Sequence, residues 1–285
     1  MKKNLEIIVT ENCNLRCKYC FYLEKPNINK QEIDFEKICD FINELKNEVE
    51  INLITITGGE PFLYKNLKEL IEFCRPICSV IRIFTNGTLI NESNVKFIIK
   101  NNVFLHISLD SVSEEYVEKY RGGYEKIINT FTILKKYDYR RLFITCSLNK
   151  NNLNGLNDLK IFAKDNNAFL DSNFIDNAPE YQLSNELIQY DEIFKDKYLN
   201  IFEDSAEFRL KLIQYLIKGN KVKNCIVRKR SIVVDPCGLI YPCFNIKKVV
   251  GTYTDEVKEI LKRLDKFNNE DFICRYTTRR CYGCI

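Results

Sequence analysis

What most constrains this chain is a regular alternation of two hydrophobic periods along its first 175 residues. Runs rich in β-branched and aromatic residues, Leu5–Thr10, Asn52–Thr57, Val80–Thr85, Val103–Asp110, Leu142–Leu148 and Phe169–Ile175, read as strands. Between them, Ile33–Leu45, Leu67–Cys74, Ser93–Asn101, Ile127–Tyr137 and Leu153–Asn166 carry apolar residues at helical spacing. A helix between two strands returns the chain to the end of the sheet where it started, so the next strand runs parallel to the last. The alternation therefore predicts an α/β fold with a parallel sheet, and such sheets build their sites at the carboxyl ends of the strands. Alternation on the fourth run puts Phe104, His106, Ser108 and Asp110 on one face. His106 is the only histidine, and its expected role is that of a hydrogen-bonded interior side chain.

The alternation stops near residue 176. Residues 177–223 read as a helical connection, with Leu187, Phe194, Leu199, Phe202, Leu212 and Leu216 among its apolar positions. Residues 224–285 are expected to form a small domain containing a strand pair, Ile232–Asp235 and Leu239–Tyr241. That span holds six of the thirteen cysteines and few long apolar stretches, so a metal or cluster would take the place of a core. Lysine and arginine number 43 against 39 acidic residues, and the dense run Arg228-Lys229-Arg230 is short, so the composition does not call for nucleic acid. No apolar stretch approaches the length of a membrane span, and no signal-peptide core follows Met1-Lys2-Lys3. A cytoplasmic location is expected. Thiols stay reduced there, so cysteines at close spacing point to metal or cluster ligation rather than to bridges.

The most informative cysteines are Cys13, Cys17 and Cys20, a C-x3-C-x2-C motif directly after the first strand. Three thiolates on one loop can bind three irons of a 4Fe-4S cluster and leave the fourth open for a substrate or cosubstrate. A zinc site normally takes four protein ligands, and the next cysteine, Cys39, falls in a predicted helix.

In this context the chain resembles the radical S-adenosylmethionine (radical SAM) superfamily. Tyr19 fills the aromatic position of the C-x3-C-x-Φ-C motif, Gly58-Gly59-Glu60-Pro61 follows the second strand, and Thr85-Asn86-Gly87 follows the third. The fourth ends in Ser108-Leu109-Asp110, similar to the family's Ser-x-Asp, and Arg121 stands in Tyr-Arg-Gly-Gly. The resemblance covers residues 4–176 and implies a partial (β/α)6 barrel, with residues 1–176 as the catalytic core. It also implies that Cys13, Cys17 and Cys20 hold the cluster. S-adenosyl-L-methionine contacts are implied for Tyr19, Gly58, Gly59, Glu60, Asn86, Ser108 and Arg121. Glu60 is expected at the methionine ammonium, and Arg121 at the carboxylate or ribose.

The second group, Cys225, Asp235-Pro236-Cys237-Gly238-Leu239-Ile240-Tyr241-Pro242-Cys243 and Cys281-Tyr282-Gly283-Cys284, resembles the SPASM/twitch auxiliary-cluster domains of the same superfamily. The resemblance implies one auxiliary 4Fe-4S cluster on Cys225, Cys243, Cys281 and Cys284, with Cys237 or Cys274 able to replace one of them. A full SPASM domain continues with more cysteines, whereas this sequence stops at Ile285, which matches the shorter twitch form. Cys39, Cys74 and Cys146 fall on predicted helices or strands and Cys78 lies just before one; all four are expected to be packing residues.

The function so implied is reductive cleavage of S-adenosylmethionine to a 5′-deoxyadenosyl radical, which abstracts hydrogen from a peptide or small molecule. The auxiliary cluster would take the surplus electron of a crosslinking or dehydrogenation. An external one-electron reductant such as flavodoxin or ferredoxin would supply the reducing electron. In sulfatase-maturating relatives an aspartate follows the last hairpin cysteine; here Phe244 stands there, which disfavours formylglycine formation. The core begins within the first residues, which leaves no space for a fused peptide-recognition domain. The alternatives are a non-catalytic zinc- or iron–sulfur-binding module and an electron-transfer protein, neither of which accounts for Gly58–Pro61 or Thr85–Gly87.

Overall fold

The computed structural model describes residues 2–20, 30–174, 229–244, 246 and 248–269. Two compact units emerge, one from the described parts of Met1–Asn14, Lys25–His106 and Arg228–Glu270, the other from those of Leu15–Glu24 and Ile107–Val227. Among the described residues no helix is long and apolar enough to cross a membrane.

In the first unit β1 (Lys2–Ile8), β2 (Glu50–Thr57) and β3 (Ile81–Thr85) pair in parallel, with Ile7 opposite Ile56 and Thr55 opposite Arg82. Helix α1 (Phe35–Glu48) starts where the Asp34 side chain accepts the Lys37 N–H at 3.1 Å. It buries Ile38, Phe41, Ile42 and Leu45, the stripe that a helical repeat brings to one face. Helix α2 spans Leu67–Cys74, and α3 (Glu92–Lys100) opens on a capping box between Asn91 and Asn94. Each strand is followed by a helix, as the alternation predicts.

The described part of the expected C-terminal domain is built onto the same sheet. β7 (Ser231–Val234) runs parallel to β1, with Leu5 opposite Ile232. β8 (Leu239–Tyr241) and β9 (Gly251–Thr252) follow as antiparallel neighbours, so this unit's strands run β3-β2-β1-β7-β8-β9. A helix the sequence reading did not include, α7 (Val257–Asn269), then packs against α1. Its Val257, Ile260, Leu264 and Phe267 are all buried, again at helical spacing.

Glu6, Thr55, His106 and Ser231, all buried, form a polar layer within this unit together with the half-buried Arg82. Ser231 Oγ donates to Glu6 Oε1 at 3.0 Å, Arg82 Nε donates to Thr55 Oγ1 at 2.8 Å, and the His106 ring lies 4.4 Å from that of Phe84. Burial raises the Glu6 carboxyl against the pull of Arg82, and it lowers the Arg82 guanidinium against the pull of Glu6.

β4 (Phe104–Ser108) carries the chain into the second unit. There α4 (Glu114–Tyr120), α5 (Tyr124–Lys136), β5 (Leu142–Leu148), α6 (Leu156–Asp165) and β6 (Ala168–Phe174) follow, with β5 and β6 parallel and in step from Leu142 opposite Ala168 onward. Helix α4 has only seven residues, and the sequence reading has no element there. The helical connection of residues 177–223, and Cys225, Cys274, Cys281 and Cys284, lie outside the described residues.

Candidate functional site

The cysteine segment begins where β1 ends. Thr10 is fully buried, and its Oγ1 accepts the Asn12 N–H at 3.0 Å, turning the chain toward Cys13. The turn after β2 is laced to it. Gly59 N donates to Thr10 O and Glu60 N to Asn12 O, each at 2.7 Å. The two glycines are what permits this approach: a Cβ on Gly58 would sit 2.5 Å from Thr10 O, and one on Gly59 2.2 Å from Asn12 O. The partner in this close approach is the backbone leading into the cysteines, where the sequence reading expects a ligand.

Glu60 is fully buried, and its carboxylate ties three strand-end groups together. Oε1 accepts Thr85 Oγ1–H at 2.7 Å and Phe62 N–H at 3.1 Å, and Oε2 accepts the Asn86 N–H at 2.7 Å. Burial raises this carboxyl, against those three hydrogen bonds. The Thr-Asn-Gly turn is thereby fixed, and it holds Asn86 in place. Asn86 Nδ2 donates to Asn14 Oδ1 at 2.9 Å and lies 3.8 Å from Cys13 Sγ, while its Oδ1 accepts the Thr88 N–H at 2.9 Å. Gly58, Gly59, Glu60, Asn86 and Cys13 are thus brought together within the first unit.

The second unit gathers Cys17, Tyr19, Asp110 and Arg121. Lys18 N donates to Tyr120 O at 2.9 Å, which seats the cysteine segment on the C-terminus of α4, and Cys20 N closes a turn onto Cys17 O at 3.0 Å. Asp110 is 2 % exposed and Arg121 8 %. The guanidinium grips Asp110 Oδ2 through Nε at 3.0 Å and Nη2 at 2.8 Å, the Tyr19 hydroxyl donates to the same oxygen, and Ser147 N donates to Oδ1 at 2.7 Å. Arg121 Nη1 is left 3.9 Å from Cys17 Sγ. Burial opposes the Arg121 charge, but Asp110 and Cys17 beside it outweigh this and push its pKa upward. Ser108 ends β4, half-buried.

The sequence reading assigned no role to Asp110. The available signal was its place in Ser108-Leu109-Asp110, on the face shared with His106 and Ser108. Thr85, the hydroxyl partner of Glu60, stands in the Thr-Asn-Gly motif, which by itself implies no role for it. Cys39, Cys74, Cys78 and Cys146 are all buried free thiols, and burial pushes Cys39 up to about 11. Of the second cysteine group, Cys243 is buried and Cys237 is exposed at the tip of the β7–β8 hairpin.

The donor set suits an iron–sulfur cluster. Cys13, Cys17 and Cys20 are half-buried cysteines on one eight-residue segment, and N–H donors of Asn86 and Arg121 face the first two. Among the described residues no three His, Cys, Asp or Glu side chains are drawn together as ligands of one ion. A cluster asks for a wider spread, one thiolate on each of three irons.

The sequence profile of the Radical SAM superfamily matches residues 7–160. A "Cysteine-type anaerobic sulfatase-maturating enzyme" of Clostridium novyi (strain NT) is 31% identical over 280 residues, 85% of this chain and 74% of that protein. Among solved structures, native anSMEcpe with bound AdoMet and Cp18Cys peptide matches with a TM-score of 0.70 at 21% identity, over 94% of this chain and 82% of that one. Streptococcus suis SuiB bound to precursor peptide SuiA matches with a TM-score of 0.75 at 15% identity, over 95% of this chain and 67% of that one. These likenesses establish the α/β fold with its parallel strands.

Proposed function

Since this chain belongs to the radical SAM superfamily, we propose that it is an enzyme that uses S-adenosylmethionine and two 4Fe-4S clusters to modify a peptide oxidatively. In this reading Cys13, Cys17 and Cys20 hold the first cluster, and Cys225, Cys243, Cys281 and Cys284 hold the second. When bound, the first cluster and S-adenosylmethionine supply a one-electron cleavage to methionine and a 5′-deoxyadenosyl radical.

The observation that carries the reading is the lacing of Gly58–Glu60 and Asn86 to the segment that leads into Cys13. Backbone bonds fix that segment before any ligand arrives, so little ordering cost is left to binding. Tyr19, Gly58, Gly59, Glu60, Asn86, Ser108 and Arg121 are the cosubstrate contacts of this proposal. Glu60 keeps one lone pair, on Oε2, for the methionine ammonium beyond those given to Thr85, Asn86 and Phe62. Arg121 has one guanidinium edge occupied by Asp110 and Nη1 directed away from it.

A peptide is favoured over a small metabolite because two of the proteins to which the chain is similar are described with peptides bound. The outcome we propose is a crosslink or dehydrogenation rather than formylglycine. Phe244, 44 % exposed, directly follows Cys243 and has no group to take a proton. The electron left after hydrogen abstraction would leave through the second cluster, and an external one-electron reductant such as flavodoxin or ferredoxin would start the cycle.

Anaerobic reconstitution tests this directly. About eight irons per chain are expected, falling to about four in the Cys13→Ala/Cys17→Ala/Cys20→Ala protein. Dithionite with S-adenosylmethionine should release 5′-deoxyadenosine from the wild type alone. Co-expression with a short peptide encoded beside the gene should give a product lacking two hydrogens. A protein that assembles both clusters and never cleaves S-adenosylmethionine would defeat the proposal.

A further inference from the structure

Arg121 is held more tightly than contact with a cosubstrate requires. Two of its guanidinium nitrogens bind one oxygen of Asp110, its Cζ lies over the Tyr19 ring 5.5 Å from the centroid, and both members of the ion pair are buried. The Tyr19 hydroxyl and Ser147 N hold Asp110 from two other sides. Every neighbour therefore fixes the direction of the pair. Its negative end points toward Tyr19 and the start of the β5 exit, at Ser147. Its positive end, Nη1, points at Cys17 Sγ, 3.9 Å away. The Arg121 carbonyl lies 3.9 Å from the same sulfur, where it accepts from the thiol. Arg121 is thus a fixed positive group beside a sulfur that becomes a thiolate when it takes iron.

We infer that the Asp110–Arg121 pair acts as an oriented dipole on Cys17 and raises the reduction potential of the cluster held there, so that Arg121 is a potential-setting residue as well as a cosubstrate contact. The inference rests on the proposed assignment of Cys13, Cys17 and Cys20 as cluster ligands. Its physical basis is that reduction adds one negative charge to the cluster, and a nearby positive group stabilises the reduced form more than the oxidised one. Hydrogen bonds to ligand sulfur act in the same direction. The effect is large where water is scarce, because a buried charge is poorly screened. Asn86 makes a similar approach to Cys13 at 3.8 Å, but it carries no charge. Cys17 is thus the sulfur at which a substitution should be felt most.

The test is a dithionite potentiometric titration of the reconstituted holoprotein without S-adenosylmethionine, followed by electron paramagnetic resonance. One electron passes from dithionite to the cluster and stays there. The signal that survives in the Cys13→Ala/Cys17→Ala/Cys20→Ala protein belongs to the second cluster and is subtracted. Arg121→Gln should lower the midpoint at least tenfold in the reduction equilibrium, about 59 mV for a one-electron couple. Asp110→Asn removes the negative end and should move the midpoint the other way. Arg121→Lys keeps the charge, so it should lie between Arg121→Gln and wild type; it replaces Arg121→Gln in the comparison if that protein takes up no iron.

Opposite signs are the discriminating result, because mere loosening of the loop would move both variants in the same direction. Equal midpoints, or shifts of one sign, overturn the inference and leave the cluster assignment standing. A wild-type protein with no cluster signal that depends on the three cysteines overturns both.

Discussion

His106 offers the sharpest quantitative test of this architecture, because no other side chain in the sequence has an ordinary pKa between pH 5 and 8. Burial, and then the charge of Arg82, push its imidazole down to about 3 in the folded protein. In the unfolded chain it titrates near 6.5. A depressed pKa means that the unfolded chain binds a proton that the native protein refuses. The neutral histidine therefore costs no stability above about pH 6.5 and an increasing amount as the pH falls from there toward 3. At pH 5 the linkage integral is about 2 kcal/mol, and at pH 7.5 it is below about 0.1 kcal/mol. The figure is set by the unfolded value, since at pH 5 the native imidazole is neutral wherever its pKa lies below about 4. His106→Gln has no proton to gain, so its stability relative to wild type should improve by about 2 kcal/mol between pH 7.5 and pH 5. Anaerobic thermal melts of both holoproteins at the two pH values measure this as a double difference, in which effects common to both, including those of Glu6, Glu60 and the clusters, cancel. For a chain of this size it corresponds to roughly 4 °C. A double difference of zero would mean that His106 titrates normally and faces water, which would refute the buried polar layer.

Four further outcomes follow from the same structure. Gly59→Ala places a methyl 2.2 Å from Asn12 O, and should cost about 1–3 kcal/mol in thermal stability together with a fall in iron content on reconstitution. Glu60→Gln removes the charge from three hydrogen bonds and should cost about 1–3 kcal/mol by the same melt, with weaker S-adenosylmethionine binding by equilibrium dialysis. Leu264→Ala in α7 removes a fully buried side chain, and should cost about 2–5 kcal/mol without changing the rate of 5′-deoxyadenosine release at a temperature where both proteins are folded. Phe244→Asp should leave S-adenosylmethionine cleavage intact and alter the fate of the substrate radical, read by mass spectrometry of the peptide.

Long periodic segments were legible from the sequence because their burial follows their spacing. Four of the five predicted helices overlap α1, α2, α3 and α6 closely, and the fifth lies within α5 and one residue beyond it. The motif residues were also legible, since glycines, a carboxylate and an aromatic at strand ends carry a chemical signature. What that signature could not give was the partner of each group. Glu60 finds Thr85 and Asn86 25 and 26 residues away, and Arg121 finds Asp110 across α4. Helix α4 is too short for two turns of apolar periodicity to show. Helix α7 has a clear stripe at Val257, Ile260, Leu264 and Phe267, but it was overlooked in a span dominated by cysteines. The parallel pairing of β7 with β1 is a contact between chain segments about 225 residues apart, and no local pattern announces it.

That pairing has a consequence for how the protein is made. β1 is translated before either of the strands it pairs with and leads straight into Cys13, yet one of its two edges stays unpaired until residues 231–234 leave the ribosome. Until then the nascent chain carries an open, largely apolar strand edge beside reactive thiols, a combination prone to wrong pairing. β7 closes that edge when it arrives, and the hairpin it begins bears Cys237 and leads to Cys243. Completion of β1's pairing and placement of Cys237 and Cys243 are therefore a single event, and a chain cut short before Ser231 would lose both together.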